Sequence, residues 1–276
     1  MDGRAYLLEQ QSRIGAALEA ALPPVSEPPE ALHRAMRHLF FPAGKCLRPA
    51  LVIASAEAVG GAASRALPLA VAVELVHTYS LIHDDLPCMD DDATRRGRPA
   101  VHVAFGEATA VLAGDALLAL AFEVLARAPG DAPLLLVASA ELARAAGSRE
   151  LVGGQVLDLA FAGSDAAAIE DVHARKSAAL IAACTAGGAL LGGADARRVE
   201  ALRRFGRKLG IAFQIADDLL DADQADGCTL LAALPPEAAR QRAEALLCEA
   251  ESETLELGEA ASPLRLLARY AVRRAE

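Results

Sequence analysis

Residues 67–97 read LPLAVAVELVHTYSLIHDDLPCMDDDATRRG, and the fold turns on how that stretch is understood. Its first twenty residues are apolar at most positions without period-two alternation, the pattern of a helix buried on nearly every side. Pro87 then helps to end it. Five aspartates follow within nine positions (Asp84, Asp85, Asp90, Asp91, Asp92), with Arg95 and Arg96 just behind. Glu74, His77, Asp84 and Asp85 would lie along one side of this helix. Carboxylates there repel one another and are costly to desolvate unless something cationic sits between them.

A second stretch, GIAFQIADDLLDAD at 210–223, repeats the pattern. Gln214, Asp217, Asp218 and Asp221 fall at i, i+3, i+4 and i+7, one polar stripe on an otherwise apolar helix. A solvated acidic helix end would explain the first cluster alone, and direct ion pairs are a further plain reading. Neither suits the second cluster, and nearby basic residues are few. Hard oxygen ligands without soft ones suit Mg²⁺, which commonly keeps waters and bridges a few carboxylates to substrate phosphate. Lys45 and Arg48 in AGKCLRP, Arg95 and Arg96 in TRRG, and Lys176 in HARKSAAL supply phosphate-binding cations. Together the segments suggest a diphosphate held between facing aspartates.

Working outward, the 276-residue chain is 54% hydrophobic and 23% charged, enough apolar material for a large core. With 4% aromatics and no Trp, that core must be aliphatic. A net charge of −10 argues against a nucleic-acid surface. Five scattered cysteines without a CxxC pair suggest free thiols and a cytoplasmic setting. The N-terminal residues show no apolar leader, and the longest uncharged run, 177–194, reads as a buried helix rather than a membrane span. Glycine and proline cut the sequence into helix-sized, Ala- and Leu-rich pieces. The expectation is an all-α fold, a single large helical domain over residues 1–276 with roughly ten or more helices around a central cavity. The helices near 66–86 and 205–222 should be central.

These segments together resemble the trans-prenyltransferases, or polyprenyl synthetases, of the farnesyl diphosphate synthase type. HDDLPCMDDDATRRG resembles their first aspartate-rich motif and FQIADDLLD their second. GKCLRP, GGQVLDL and RKSAAL are similar to three flanking motifs. The resemblance implies an isoprenoid synthase fold and head-to-tail condensation of isopentenyl diphosphate with an allylic diphosphate. It implies three Mg²⁺ ions held by Asp84, Asp85, Asp90, Asp217, Asp218 and Asp221, with Asp84, Asp90 and Asp217 foremost as direct ligands. Arg95, Lys176, Ser177 and Gln214 would hold the allylic diphosphate, and Lys45, Arg48, His77 and Arg96 the isopentenyl diphosphate. Tyr79 and Ser80 would set chain length, the aromatic at Tyr79 favouring a stop near C15. A homodimer follows by resemblance only.

Three departures stand out. Ser177 replaces a threonine, and Ala93 and Thr94 stand where an aspartate and a leucine are common. After Asp221 the family's glycine- and lysine-rich loop is about a dozen residues short, with no lysine in DLLDADQADGCTLLAALPPEAAR. That last departure keeps open a non-catalytic or partner-dependent subunit. A class I terpene cyclase is a rival within the same chemistry.

Overall fold

The computed structural model describes residues 3–41, 44–222 and 228–273. Helices form along the runs of strong helix formers, several of them carrying interior glycines and one an interior proline, Pro68. The first four are α1 (Gly3–Ala21), α2 (Glu30–Arg37), α3 (Leu47–Ala58) and α4 (Ala63–Asp84). A two-residue antiparallel pair, β1 (Thr94–Arg95) and β2 (Arg98–Pro99), interrupts them. Then come α5 (Val101–Phe105), α6 (Glu107–Arg127), α7 (Ala132–Ala146), α8 (Leu151–Leu159) and α9 (Ala166–His173). A π-helical turn at Ala174–Ala178 leads into α10 (Ala179–Gly192). The chain closes with α11 (Ala196–Leu220), α12 (Pro236–Ser252) and α13 (Ser262–Val272).

The all-α expectation holds. α4 packs on α3, α6 and α10, and α11 packs on α10 and α12. The side chains between them belong to one aliphatic cluster that runs from Tyr6 to Val272. α4 and α11 are the central helices expected from their apolar flanks, and each ends at its aspartates. α4 stops at Asp84, three residues before Pro87, with the Asp85 N–H bonded to the Leu81 carbonyl at 3.1 Å.

The uncharged run 177–194 is divided between the π turn and α10, whose residues are almost all buried. Two other helices, α4 and α6, are long and apolar enough to cross a membrane by length and composition. α4 is mostly buried by its neighbours and carries Glu74, His77 and Asp84 on one face, the behaviour of a core helix. α6 is the more exposed of the two, with Val111 and Leu112 facing outward.

Candidate active site

Two cavities, of about 470 and 450 Å³, lie side by side between the ends of α4 and α11. They meet at Arg48, His77 and Phe213, which line both.

The larger cavity is carboxylate-rich. Asp84 from α4, Asp90 and Asp92 from the following loop, and Asp217 and Asp221 from α11 line it, against Arg48, Arg95 and Lys176. Burial lifts the Asp84 carboxyl to about 6, with Lys176 opposing and Asp90 reinforcing the rise. Burial likewise raises Asp90. These oxygens face one another with too little positive charge among them, and the donor set is hard oxygen throughout. Among the described residues no three His, Cys, Asp or Glu side chains converge tightly enough to hold an ion alone. That spread fits an ion such as Mg²⁺, which fills its remaining positions with water and phosphate oxygens.

Asp85 and Asp218 turn away from this cavity. In a helix adjacent residues point about 100° apart, so only one of each pair can share the face of Asp84 or Asp217. Asp85 is fully buried and accepts a 2.7 Å bond from Arg95 Nε. Asp218 accepts the Leu230 N–H at 2.7 Å and lies 3.5 Å from His173 Nε2. It thereby ties the chain beyond Asp221 back to α11. Of the lysine-free segment singled out from sequence, residues 223–227 lie outside the described residues.

The expected allylic-diphosphate residues Arg95, Lys176, Ser177 and Gln214 all line the larger cavity. Each is held in place. Arg95 Nη2 donates to Asp92 at 2.6 Å as well as pairing with Asp85. Lys176 Nζ donates to Asp158 Oδ2 at 2.5 Å. Burial alone would depress Lys176, but Asp158 and Asp84 carry it above its ordinary value. Ser177 Oγ donates to Gln214 Oε1 at 2.6 Å. The π turn aims Lys176 and Ser177 inward, since one extra residue per turn rotates the face of the helix. α8 can approach that turn because Gly154 has no side chain: a Cβ there would meet the Lys176 backbone nitrogen at 2.4 Å.

Sequence reasoning quoted GGQVLDL without assigning roles to its residues. Gln155 lines the cavity, is nearly buried, and has no partner for either amide atom. Asp158 positions Lys176, and Asp92 braces Arg95. Tyr79, expected at the floor, lines neither cavity; it is 5% exposed, with its ring edge-on to His83 at 5.8 Å. Ser80 does line the larger cavity, its hydroxyl donating to the His77 carbonyl at 2.9 Å.

The smaller cavity is basic. Lys45, Arg48, His77 and Arg96, the expected isopentenyl-diphosphate residues, all line it, together with Gln11, Glu74 and Tyr270. Arg48 Nη1 sits 3.2 Å from His77 Nε2, so that nitrogen is the acceptor and the ring proton resides on Nδ1. Burial and then Arg48 hold His77 well below its usual value, hence neutral. Arg48 also stacks over Phe213, 5.7 Å from the ring centre. Gln11 of α1 donates to the Gly44 carbonyl at 3.0 Å, a contribution with no motif to announce it.

Among the described residues, the non-glycine positions with positive φ are Cys46, Asp91 and Arg96. Cys46 and Arg96 line the basic cavity, and Asp91 stands between two carboxylates of the other. Such backbone is rarely adopted by bulky residues and persists where surrounding structure dictates it. At the β1–β2 turn, Arg96 (φ 55°) and Gly97 (φ 72°) both have left-handed backbone, as a type I′ hairpin requires. Adjacent arginines thereby serve opposite cavities.

The sequence matches the profile of the polyprenyl synthetase family over residues 29–227. It is 47% identical over 226 residues to geranylgeranyl pyrophosphate synthase 7, chloroplastic, of Arabidopsis thaliana, covering 80% of this chain and 65% of that protein. It is 41% identical to the heterodimeric geranylgeranyl pyrophosphate synthase large subunit 1 of the same plant, over 98% of this chain and 78% of the other. In three dimensions it resembles the crystal structure of an FPP/GFPP synthase from Zymomonas mobilis. There the TM-score is 0.91 and the identity 39%, with 98% of each chain covered.

Proposed function

This chain belongs to the polyprenyl synthetase family, and on that premise we propose that it joins isopentenyl diphosphate to an allylic diphosphate, head to tail, with Mg²⁺. The observation that carries this reading is the pair of adjoining cavities, one acidic and one basic, sharing Arg48, His77 and Phe213. The basic cavity can take a diphosphate without metal. The acidic one cannot, because its carboxylates would repel the ligand.

Asp84, Asp90, Asp217 and Asp221 would hold the magnesium, whose charge would promote departure of diphosphate from the allylic carbon. Lys176, Arg95 and the unpartnered Gln155 bind the leaving oxygens, and Ser177 and Gln214 steady that wall. Phe213, Leu180 and Leu151 keep water from the allylic cation. Lys45, Arg48 and Arg96 orient isopentenyl diphosphate so that its double bond attacks the cation. The proton then lost goes to the departing diphosphate, because His77, depressed by burial and three arginines, is a poor acceptor.

We further propose one unit over residues 1–276 and a product of C20 or longer. The C15 expectation rested on Tyr79, which lines neither cavity, and plant relatives are named for geranylgeranyl and geranylfarnesyl products. A homodimer is supported by apolar side chains left outward on α5 and α6, among them Val103 and Leu112. Free cysteines, two of them buried, support a reducing, cytoplasmic setting.

A partner-dependent reading also has support: Arg95 and Lys176 are already paired with carboxylates, and no lysine lies between Asp221 and Pro236. One experiment separates the two. Purified protein is incubated with Mg²⁺, isopentenyl diphosphate and dimethylallyl, geranyl or farnesyl diphosphate, and products are identified by mass. Elongated diphosphates are expected. Folded protein that consumes no isopentenyl diphosphate with any starter would sink the catalytic reading.

A further inference from the structure

Glu74 is the one carboxylate lining the basic cavity among its described residues. It is 2% exposed on the central helix α4, and no aspartate motif includes it. Its Oε1 lies 3.6 Å from Arg96 Nη2, longer than a good hydrogen bond. Arg96 is fixed by other means: Nη1 donates to the Leu39 carbonyl at 2.9 Å, and Gly44 lies flat against the guanidinium. A Cβ on Gly44 would come within 2.7 Å of it. Arg48 is held by His77 and Phe213. Glu74 is therefore not needed to aim either arginine.

Burial pushes the Glu74 carboxyl up, and Arg96 and Arg48 draw it back down; as the carboxylate it supplies negative charge. Lys45, Arg48 and Arg96 converge on one cavity, Lys45 exposed and Arg48 half-buried with its Nε sealed and without a partner. Like charges brought together repel, the more so where water is partly excluded. A buried carboxylate among them relieves that repulsion while the cavity is empty. It opposes any anion that enters.

We propose that Glu74 is a specificity-determining residue that stands in for the ligand's charge in the empty basic cavity and deliberately weakens its hold on diphosphate. The inference rests on the reading of this cavity as the isopentenyl-diphosphate site. Weak holding matters there because inorganic pyrophosphate, a product of the reaction, carries the same recognition group. A cavity with three cations and no counter-charge would retain it.

The test uses Glu74→Gln, which keeps shape and removes charge. Calorimetric titration in EDTA with inorganic pyrophosphate and with isopentenyl diphosphate confines binding to the basic cavity, since the carboxylate cavity repels both without metal. Glu74→Gln should bind pyrophosphate about tenfold more tightly than wild type. The variant should gain more melting temperature than wild type from added pyrophosphate. In turnover, pyrophosphate should inhibit it at lower concentration, whereas Glu74→Asp should behave as wild type. Unchanged or weaker pyrophosphate binding in Glu74→Gln would overturn the inference and leave Glu74 a scaffold for Arg96. Wild type that binds neither ligand would overturn this inference and the site reading together. Should the single variant not fold, Arg96→Gln and Arg96→Gln/Glu74→Gln read the same effect. The double variant is then expected to bind pyrophosphate more tightly than the single, and the reverse order overturns the inference.

Discussion

The two cavities share a wall and three side chains, yet they prepare for a diphosphate in opposite ways. The basic cavity carries its own positive charge, with Glu74 set among its cations. The acidic cavity carries more carboxylates than cations and becomes an anion site only once a divalent ion reverses its charge. That difference suits the chemistry proposed for each. One diphosphate must stay attached to its carbon and be held loosely; the other must be torn away, which needs concentrated charge at the leaving oxygens.

The comparison breaks most visibly at the metal-facing carboxylates. Asp84→Ala or Asp217→Ala should lower kcat/KM about 10³-fold with Mg²⁺. Binding of isopentenyl diphosphate in EDTA should barely change. A parallel loss of metal-free binding would show that the cavities are not separate. Lys45→Ala is the mirror experiment. Loss of one charge-assisted contact should raise KM for isopentenyl diphosphate about 10- to 100-fold and leave KM for the allylic substrate within about twofold. Steady-state kinetics with each substrate varied in turn would show it.

A third measurement asks what the acidic cavity costs an empty protein. The Asp84 carboxyl is lifted to about 6 from 3.8, so the neutral form favours the fold. The stability it contributes is full below pH about 4 and lost as pH rises through about 6. Asp84→Asn should therefore stabilise the metal-free protein at pH 8. The gain is about 3 kcal/mol if unscreened and about 1–2 kcal/mol with solvent screening, and it should vanish near pH 4. Denaturant melts at the two pH values check both size and sign. The smallest effect belongs to Gln11→Ala, which frees the Gly44 carbonyl at the edge of the basic cavity. KM for isopentenyl diphosphate should rise about threefold, in line with one neutral hydrogen bond.

Much of this was legible in the chain because two signals coincide. An apolar helix must be central, and aspartates at its end must face something. α4 and α11 combine both, so their positions and their chemistry could be read together. Less legible was which member of an adjacent pair faces inward. Asp84 and Asp85 look alike in sequence, and only packing decides that Asp85 braces Arg95 while Asp84 meets the cavity. The π turn at 174–178 left no compositional mark, since its extra residue is imposed by α8 and α11 closing around it. Gln155 could have been found: a glutamine in a quoted motif on an apolar helix has amide atoms that need partners. Gln11 could not, because α1 reaches the cavity only through the tertiary fold. Tyr79 is the converse case: it stands one turn above the aspartates yet lines neither cavity, a placement that spacing alone does not reveal.

The short hairpin that carries Arg95 and Arg96 ties two binding events to one backbone. Arg95 reaches the acidic cavity from the end of β1 and Arg96 the basic one from the turn that follows, across a single peptide bond. A ligand that quiets the hairpin from one side leaves less motion for the other ligand to arrest. Any coupling carried by the hairpin would run equally in both directions, each ligand changing the affinity of the other by the same factor. On the proposed function, positive coupling of this kind would favour holding both substrates or neither. An allylic cation would then seldom form without its acceptor already in place.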